Sequence, residues 1–194
     1  MDWVEDTLSR SAYKFHLSGG QRRLKEAILY VCKACEDLDY FGAIKLNKIL
    51  WRSDFQSFKD RMVPVTGRQY QRLKMGPAPV EMPPVINEML RDGLLRIELR
   101  EMGQFTEKRH IALEDPVMRY FSPEDLEYID EAIEHYRIMT GTETSDSSHG
   151  TAWKTRKNGD PMPYQSAFLE DAPLPDEALK KFELMGIERR WRSQ

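Results

Sequence analysis

The chain has 194 residues, of which 40% are hydrophobic and 31% are charged, and this balance excludes a disordered, collagen-like or low-complexity protein. No apolar run approaches the roughly 18 residues of a membrane helix, and the acidic start lacks the basic and apolar regions of a secretory signal. The net charge of −3 excludes a polycation built for nucleic acid. With two cysteines, these features predict a cytoplasmic protein.

Two helices are predicted after a polar N-terminal arm, residues 1–20, which ends in a Ser-Gly-Gly breaker. Apolar residues spaced three and four apart predict the first helix over residues 21–37. The second, over residues 42–59, is apolar on two faces, which is typical of a helix at the centre of its fold. The polar strip that remains on this second helix carries Lys45, Lys48 and Arg52.

Short elements fill the middle of the chain. Residues 70–75 alternate like a strand, whereas the Gly-Pro-Ala-Pro run at 76–79 predicts a break in both helix and sheet. Two prolines open a short helix that Gly93 closes. Alternation in residues 95–99 and 109–113 predicts a β-hairpin with a long loop.

The last third of the chain is predicted to be mostly helical. Ser122, a proline and two acids start a helix that runs to about residue 139. Residues 141–148 are predicted as a polar loop, followed by a short helix that holds Trp153. A last helix and a basic tail occupy residues 171–194. The predicted fold class is mainly α with a small antiparallel β-hairpin or sheet (α+β), winged-helix-like in its middle section.

No catalytic or metal-binding motif emerges from the sequence, and we expect neither a metal nor a cofactor. Cys32 and Cys35 form a CxxC pair inside a predicted helix, without the further soft ligands that zinc needs. Residues 145–149 contain Ser, Asp and His together, but catalytic triads are assembled from separate segments. We interpret the Ser and Asp as helix caps, with His149 on the first turn. A hydrolase using His149 and Asp146 stays a third hypothesis, which requires a pocket where both side chains converge.

Charge is spread unevenly along the chain. Residues 21–75 carry twelve basic side chains against six acidic ones, whereas residues 101–140 carry ten acidic against four basic. Solvated helix faces explain such runs most simply, and oriented docking to a protein partner is the alternative.

A DNA-binding transcriptional regulator is the alternative function. The order of strand, short helix and hairpin over residues 70–113 matches a helix-turn-helix followed by a wing. The helix that would enter the groove, residues 85–92, carries two acids and one base, so it can make few phosphate contacts. Nucleic acid is therefore not an expected partner.

Three blocks in the chain, at residues 45–55, 66–79 and 145–164, share their order and spacing with a known motif set, and together they resemble the Panacea domain of SocA-like antitoxins. Residues 45–55, KLNKILWRSDF, are similar to that family's KLxKLLYxADF helix. Residues 66–79 resemble its TGxxYxxxxxGPVP segment, and residues 145–164 its LSxLSHxxxxW stretch. The departures are Trp51 for a tyrosine, Ser147 for a leucine and Ala78 for a valine. The resemblance covers residues 24–168 and implies one Panacea-like domain over residues 21–170.

The resemblance implies a non-enzymatic antitoxin that binds a toxin encoded nearby. Family members serve unrelated toxins, phages and prophages carry such genes, and one member delivers its toxin to a protease, which is a further candidate partner. The motif residues with an implied structural role are Leu46, Asp54, Gly67, Gly76, Pro77 and Trp153. The candidate toxin-binding residues are Lys45, Lys48, Arg52, Arg72, Lys74 and His149. We expect charge reversal at Lys48 and Arg52 to weaken toxin binding without unfolding the domain.

Overall fold

The computed structural model describes residues 14–103 and 105–169, together with three isolated helical positions at 177, 180 and 184. The elements in this part of the chain are α1 (Gly20–Ala34), α2 (Ala43–Arg61), β1 (Tyr70–Leu73), β2 (Gly76–Pro79), α3 (Met82–Arg91), β3 (Leu95–Met102), β4 (Phe105–Ala112), α4 (Pro123–Tyr136), α5 (Gly141–Ser147), α6 (Thr151–Lys154) and β5 (Pro161–Met162). Two 3-10 helices lie at Met118–Tyr120 and Tyr164–Phe168. The fold is α+β, as predicted. Within these residues, none of the helices combines the length and apolar character needed to cross a membrane.

Helix α2 lies at the centre of the fold, as its two apolar faces predict. One face, which includes Leu46 and Ile49, joins α1, α3 and α4 in the main core. The opposite face places Phe55 and Phe58 in a second, aromatic cluster with Tyr164. Because α2 is covered on both sides, it positions every motif block that packs against it.

The first sheet has the strand order β2-β1-β5 and is antiparallel throughout. The prediction of a break over residues 76–79 was wrong, because β2 pairs with β1 from Gly76 opposite Leu73 to Pro79 opposite Tyr70. Strand β2 is at the edge of its sheet, where a proline is tolerated because its missing N–H is not needed by a further strand.

The second sheet is the hairpin of β3 and β4. Its register runs from Leu95 opposite Ala112 to Met102 opposite Phe105. The strands are longer and the connection shorter than predicted. Gly103, at φ 71°, supplies the left-handed conformation that tight hairpin turns require.

The segment predicted as a polar loop at residues 141–148 is helix α5. Thr140 and Glu143 form a reciprocal capping box, in which Glu143 Oε2 accepts from Thr140 N at 2.8 Å and Thr140 Oγ1 accepts from Glu143 N at 3.3 Å. Ser148 therefore ends α5 and His149 follows it, so the placement of His149 on the first turn of a helix was wrong. The next helix, α6, begins at Thr151 and holds Trp153, as predicted.

The chain ends are described only in part. Phe15, in the predicted arm, packs edge-on against Phe58 and Tyr164 at 5.4 Å between ring centroids. Its backbone N–H donates to Gly67 O at 3.1 Å, so the described end of the arm is attached to the body. The rest of the arm, and the predicted C-terminal helix and basic tail apart from the three isolated positions, lie outside the described residues.

Candidate functional site

Trp153 connects the motif block at residues 145–164, to which it belongs, with the block at residues 66–79. The guanidinium carbon of Arg72 lies 3.7 Å from the Trp153 ring centroid, and the His149 ring stacks on the indole at 3.7 Å and 16°. Two groups cannot share one ring face at that distance, so the indole is sandwiched between them. Trp153 Nε1 also donates to Leu73 O at 2.8 Å, which fastens α6 to β1. We call Arg72, Trp153 and His149 the Trp153 sandwich.

Lys48, on α2, is buried, with 2% of its surface exposed. Its Nζ donates to Pro77 O at 2.8 Å, and burial lowers the pKa of Lys48 to about 7. A side chain at Gly76, whose φ is 93°, would overlap Lys48 Cε and Ser148 Oγ. The motif block at residues 145–164, which contains Ser148, therefore approaches α2 closely only because residue 76 has no side chain.

Ser145, Asp146 and His149 lie near one another, but the contacts between them are longer than those of a catalytic triad. Ser145 Oγ is 3.5 Å from His149 Nε2, and Asp146 Oδ1 is 3.9 Å from Nδ1, which is beyond hydrogen-bond distance. Ser145 is 2% exposed, and none of the three cavities described below is lined by these residues. Burial also lowers the pKa of His149. The pocket that the hydrolase hypothesis requires is therefore missing from those cavities.

Asp54, in the motif block at residues 45–55, is a fully buried hydrogen-bond acceptor. It accepts from the backbone N–H and hydroxyl of Thr66, from Tyr70 OH at 2.8 Å and from Tyr164 OH at 3.3 Å. Burial raises the pKa of Asp54, against the effect of these donors. The left-handed Gly67 that follows Thr66 leaves no room for a side chain beside Phe15 O. The presence of Asp54, Thr66 and Gly67 in the motif is therefore explained by a structural role, because these residues hold the aromatic cluster together.

The remaining candidate toxin-binding residues do not join the Trp153 sandwich. Lys45 is fully buried, and its Nζ donates to Asp39 O and Arg137 O at 3.3 Å each. Arg52 pairs with Glu131 on α4 through contacts of 2.8 and 3.2 Å, and Lys74 is exposed in the β1–β2 turn.

The predicted polar strip on α2 is therefore wrong for Lys45 and Lys48. Main-chain carbonyl groups from other segments satisfy both ammonium groups, which permits their burial. Charge reversal at Lys48 would bury a carboxylate beside the Pro77 carbonyl, so the structure leads us to expect a loss of stability in place of a folded, binding-defective domain.

The CxxC pair is buried and far from reactive. Cys32 and Cys35 are 2% and 0% exposed, and burial raises the pKa of both thiols, that of Cys35 to about 12. No group of three or more His, Cys, Asp or Glu side chains among the described residues is arranged to hold a metal ion.

One cavity on the described surface has a volume of about 720 Å³. It lies between the start of α2, strand β4 and the start of α5, and we call it the α2–β4 cleft. Its principal lining residues are Tyr40, Ile44, Lys45, Phe105, Lys108 and Gly141. The second cavity, about 660 Å³, is lined mainly by charged side chains, and the third measures about 170 Å³. The sequence gives no sign of the cleft, because three distant segments form it.

These features define a small α+β domain whose motif residues fasten α2, the first sheet and α6 to one another. The family model for the antitoxin SocA-like, Panacea domain matches residues 46–154, which span α2 to α6. The chain belongs to this family of antitoxins, as the three sequence blocks predict. A search of curated proteins and a search of solved structures gave no match.

Proposed function

We propose that this protein is a cytoplasmic antitoxin that neutralises a cognate toxin by direct, non-catalytic binding. Membership of the SocA-like family supports the antitoxin role. The observation that carries the binding mechanism is the burial of the family's polar motif residues. Lys48, Asp54 and Ser145 are each at most 2% exposed, so the motif supports the fold and not an open active site.

Toxin binding is then a task for surfaces outside the motif residues. A stable protein interface buries roughly 1,200–2,000 Å², and a few aromatic and arginine side chains contribute most of its affinity. The exposed apolar and basic groups around the α2–β4 cleft, such as Phe105 and Lys108, have this character. The buried motif residues thus leave the exposed surface to make the toxin contacts, which suits a family that serves unrelated toxins.

Co-expression with the open reading frame beside the gene tests the proposal. The expected result is rescue of growth together with a stable complex that co-purifies. Rescue without a complex supports the adaptor variant of the proposal, in which the antitoxin delivers the toxin to a protease. A neighbour that is harmless when expressed alone would contradict the antitoxin role. The Gly76→Val variant, which removes the close approach at Lys48, serves as the folding-defective control.

The alternative of a DNA-binding regulator gains no support from the geometry. Helix α3 and the hairpin do follow the order of a winged helix, but Glu88 on α3 pairs with Lys25 at 2.7 Å. In the hairpin, Arg96 and Arg100 both pair with Glu98. Glu98 thus offsets part of the positive charge that a wing would offer to phosphates.

A further inference from the structure

The hairpin of β3 and β4 is a two-stranded sheet, and among the described residues no third strand pairs with β3. The free edge of β3 is accessible over residues 96–101, all of which are exposed except the half-buried Glu98. Leu95, by contrast, is 2% exposed, so the edge is covered where the strand begins. An accessible edge presents unpaired N–H and C=O groups, to which another strand can add.

The hydrogen-bond pattern of the hairpin shows which backbone groups of β3 point away from β4. Leu113 N donates to Leu94 O at 2.9 Å, and the register of β3 and β4 continues this pairing. Because hydrogen-bonded and non-hydrogen-bonded pairs alternate in an antiparallel ladder, the even-numbered residues of β3 bond to β4. The odd-numbered residues direct their N–H and C=O groups outward. On the accessible part of the edge these residues are Ile97, Leu99 and Glu101.

Two apolar side chains lie uncovered on this edge. Ile97 is 40% exposed and Leu99 is 63% exposed, and both point to the same face because they are two positions apart. The opposite face carries Arg96, Glu98 and Arg100, with Glu98 at 3.0 Å from Arg96 and 2.5 Å from Arg100. Charges on an edge strand exclude partners whose own charges repel them. Since these three charges alternate in sign, they admit a strand with the reverse alternation.

The β3 strand of a second copy meets this condition when the two strands run antiparallel about Leu99. Leu99 then lies opposite Leu99 of the second copy, and Ile97 lies opposite Glu101. These are the residues with outward backbone groups, so the alignment gives about six main-chain hydrogen bonds. The two leucines and the two isoleucines form one apolar surface, since diagonal neighbours on adjacent strands are within reach of one another.

The charged side chains on the other face are complementary in the same alignment. Glu98 lies opposite Arg100 of the second copy, and symmetry repeats this pair. Within each hairpin, Glu98 is opposite Arg109 and Arg100 is opposite Glu107. Each row across the joined hairpins therefore reads Arg109, Glu98, Arg100 and Glu107, and its charges alternate in sign.

The neighbouring alignments fit less well. An alignment centred on Glu98 or on Arg100 places two like charges directly opposite each other, which is destabilising. An alignment centred on Ile97 requires a strand beside Leu95, where the edge is covered. The alignment about Leu99 is therefore the one that combines accessible backbone groups with complementary charge.

We infer that the free edge of β3 is a dimer interface, at which two copies of the chain join their hairpins into a continuous four-stranded antiparallel sheet centred on Leu99. The leucines and isoleucines pack at the centre of one face, and the pairs of Glu98 with Arg100 fix the register on the other. This inference goes beyond the proposed function and does not depend on what the chain neutralises.

Sedimentation velocity of the isolated chain over a range of concentrations tests the inference. A single strand pair buries less area than a standard interface, so the expected result is a reversible dimer in the micromolar range. Amide hydrogen exchange at Leu99 and Glu101 should slow as the dimer forms, because their N–H groups gain acceptors. A chain that stays monomeric up to about 1 mM, or slowing confined to other segments, would overturn the inference.

Two proline variants test the edge while sparing the hairpin. Leu99→Pro removes an N–H that points outward, so it breaks the dimer contact and leaves the bonds between β3 and β4 in place. The matched control is Thr106→Pro, which makes the same change on the opposite edge of the hairpin, because Thr106 pairs with Glu101. Dimer affinity should fall at least about tenfold for Leu99→Pro and stay within about twofold for Thr106→Pro. Equal losses in the two variants would overturn the inference.

Charge reversal tests the register itself. In a dimer of Glu98→Lys chains two cations lie opposite each other, and in a dimer of Arg100→Glu chains two carboxylates do, so each variant alone should dimerise at least about tenfold more weakly. In an equimolar mixture each pair again joins opposite charges, and the mixed dimer should recover most of the wild-type affinity.

The control for the mixture is Lys74→Glu, which makes the same change of net charge in the exposed β1–β2 turn, outside the hairpin. Mixed with Glu98→Lys, it should give no recovery. Failure of the first mixture to recover, or equal recovery in both mixtures, would overturn the inference. Because these measurements use the chain alone, such a failure leaves the antitoxin role untouched.

Discussion

The Nζ of Lys48 donates to the carbonyl oxygen of Pro77, and this contact is possible because the preceding residue, Gly76, has no side chain that would overlap Lys48. The Nζ–O distance is 2.8 Å, and the contact ties the central helix to the edge strand β2. Lys48 and Gly76 therefore form one structural unit, although the sequence places them in separate motif blocks.

Gly76→Ala should destabilise the protein by about 2–4 kcal/mol, because the new methyl group meets Lys48 and Ser148 in a left-handed backbone conformation. Urea denaturation measures the loss. The control is Gly93→Ala, at φ 72° with no atom near the added methyl group, which should cost only about 1 kcal/mol. Equal losses in the two variants would show that the close approach to Lys48 contributes nothing.

Lys48 should make stability depend on pH above neutrality. Its pKa is about 7 in the folded protein against 10.5 for an ordinary lysine, so the unfolded chain binds more protons between these values. Stability therefore rises with pH, by up to about 1.4 kcal/mol per pH unit from this group, between about pH 7 and pH 10.5.

The comparison with Lys48→Met isolates this effect, because all other titrating groups are common to both proteins. Chemical denaturation at several pH values should give a shallower rise for Lys48→Met than for the wild-type chain. Parallel curves would contradict the assignment of the pH dependence to Lys48.

Asp54→Asn should destabilise the domain by about 3 kcal/mol, even though burial raises the pKa of the aspartate. An amide offers one acceptor oxygen in place of two, and its NH₂ group would face the donors of Thr66 or the tyrosine hydroxyls. Thermal denaturation measures the difference. Asp60→Asn on the exposed end of the same helix is the control and should change stability by less than about 0.5 kcal/mol.

Charge reversal should separate buried lysines from surface lysines among the candidate toxin-binding residues. Lys48→Glu should cost more than about 3 kcal/mol, because it places a carboxylate in a buried site beside a carbonyl oxygen. Lys74→Glu, in an exposed turn, should leave stability within about 0.5 kcal/mol. Circular dichroism during urea titration checks both, and a folded Lys48→Glu variant of normal stability would restore Lys48 as a surface candidate.

The helices were predictable wherever the periodic pattern of apolar residues extended over several turns. The two faces of α2 indicated its central position, and Ser122 indicated the start of α4, where it caps Asp125. Helix α5 was missed because seven residues carry too little periodicity, although the spacing of Thr140 and Glu143 is that of a capping box. Strand β2 was missed because its prolines are acceptable only at a sheet edge, and edge position depends on the whole sheet.

The site was less predictable than the fold. The motif blocks identified Lys48, Arg72, His149 and Trp153 as important, but their contacts depend on how distant segments meet. The burial of Lys45 illustrates the limit, because its two carbonyl partners come from Asp39 and Arg137. A helical pattern in one segment contains no information about acceptors that another segment supplies.

The Trp153 sandwich also sets an order for events during synthesis. The indole N–H bonds to Leu73 O, 80 residues earlier in the chain, so β1 lacks this partner until α6 has been made. Contacts between such distant residues close late, since the loop between them must first lose its freedom. We therefore expect a nascent chain to gain protease resistance only after Trp153 has left the ribosome, which limited proteolysis of stalled chains would measure. A truncated chain would accordingly be an easy substrate for degradation and would not accumulate in the cell.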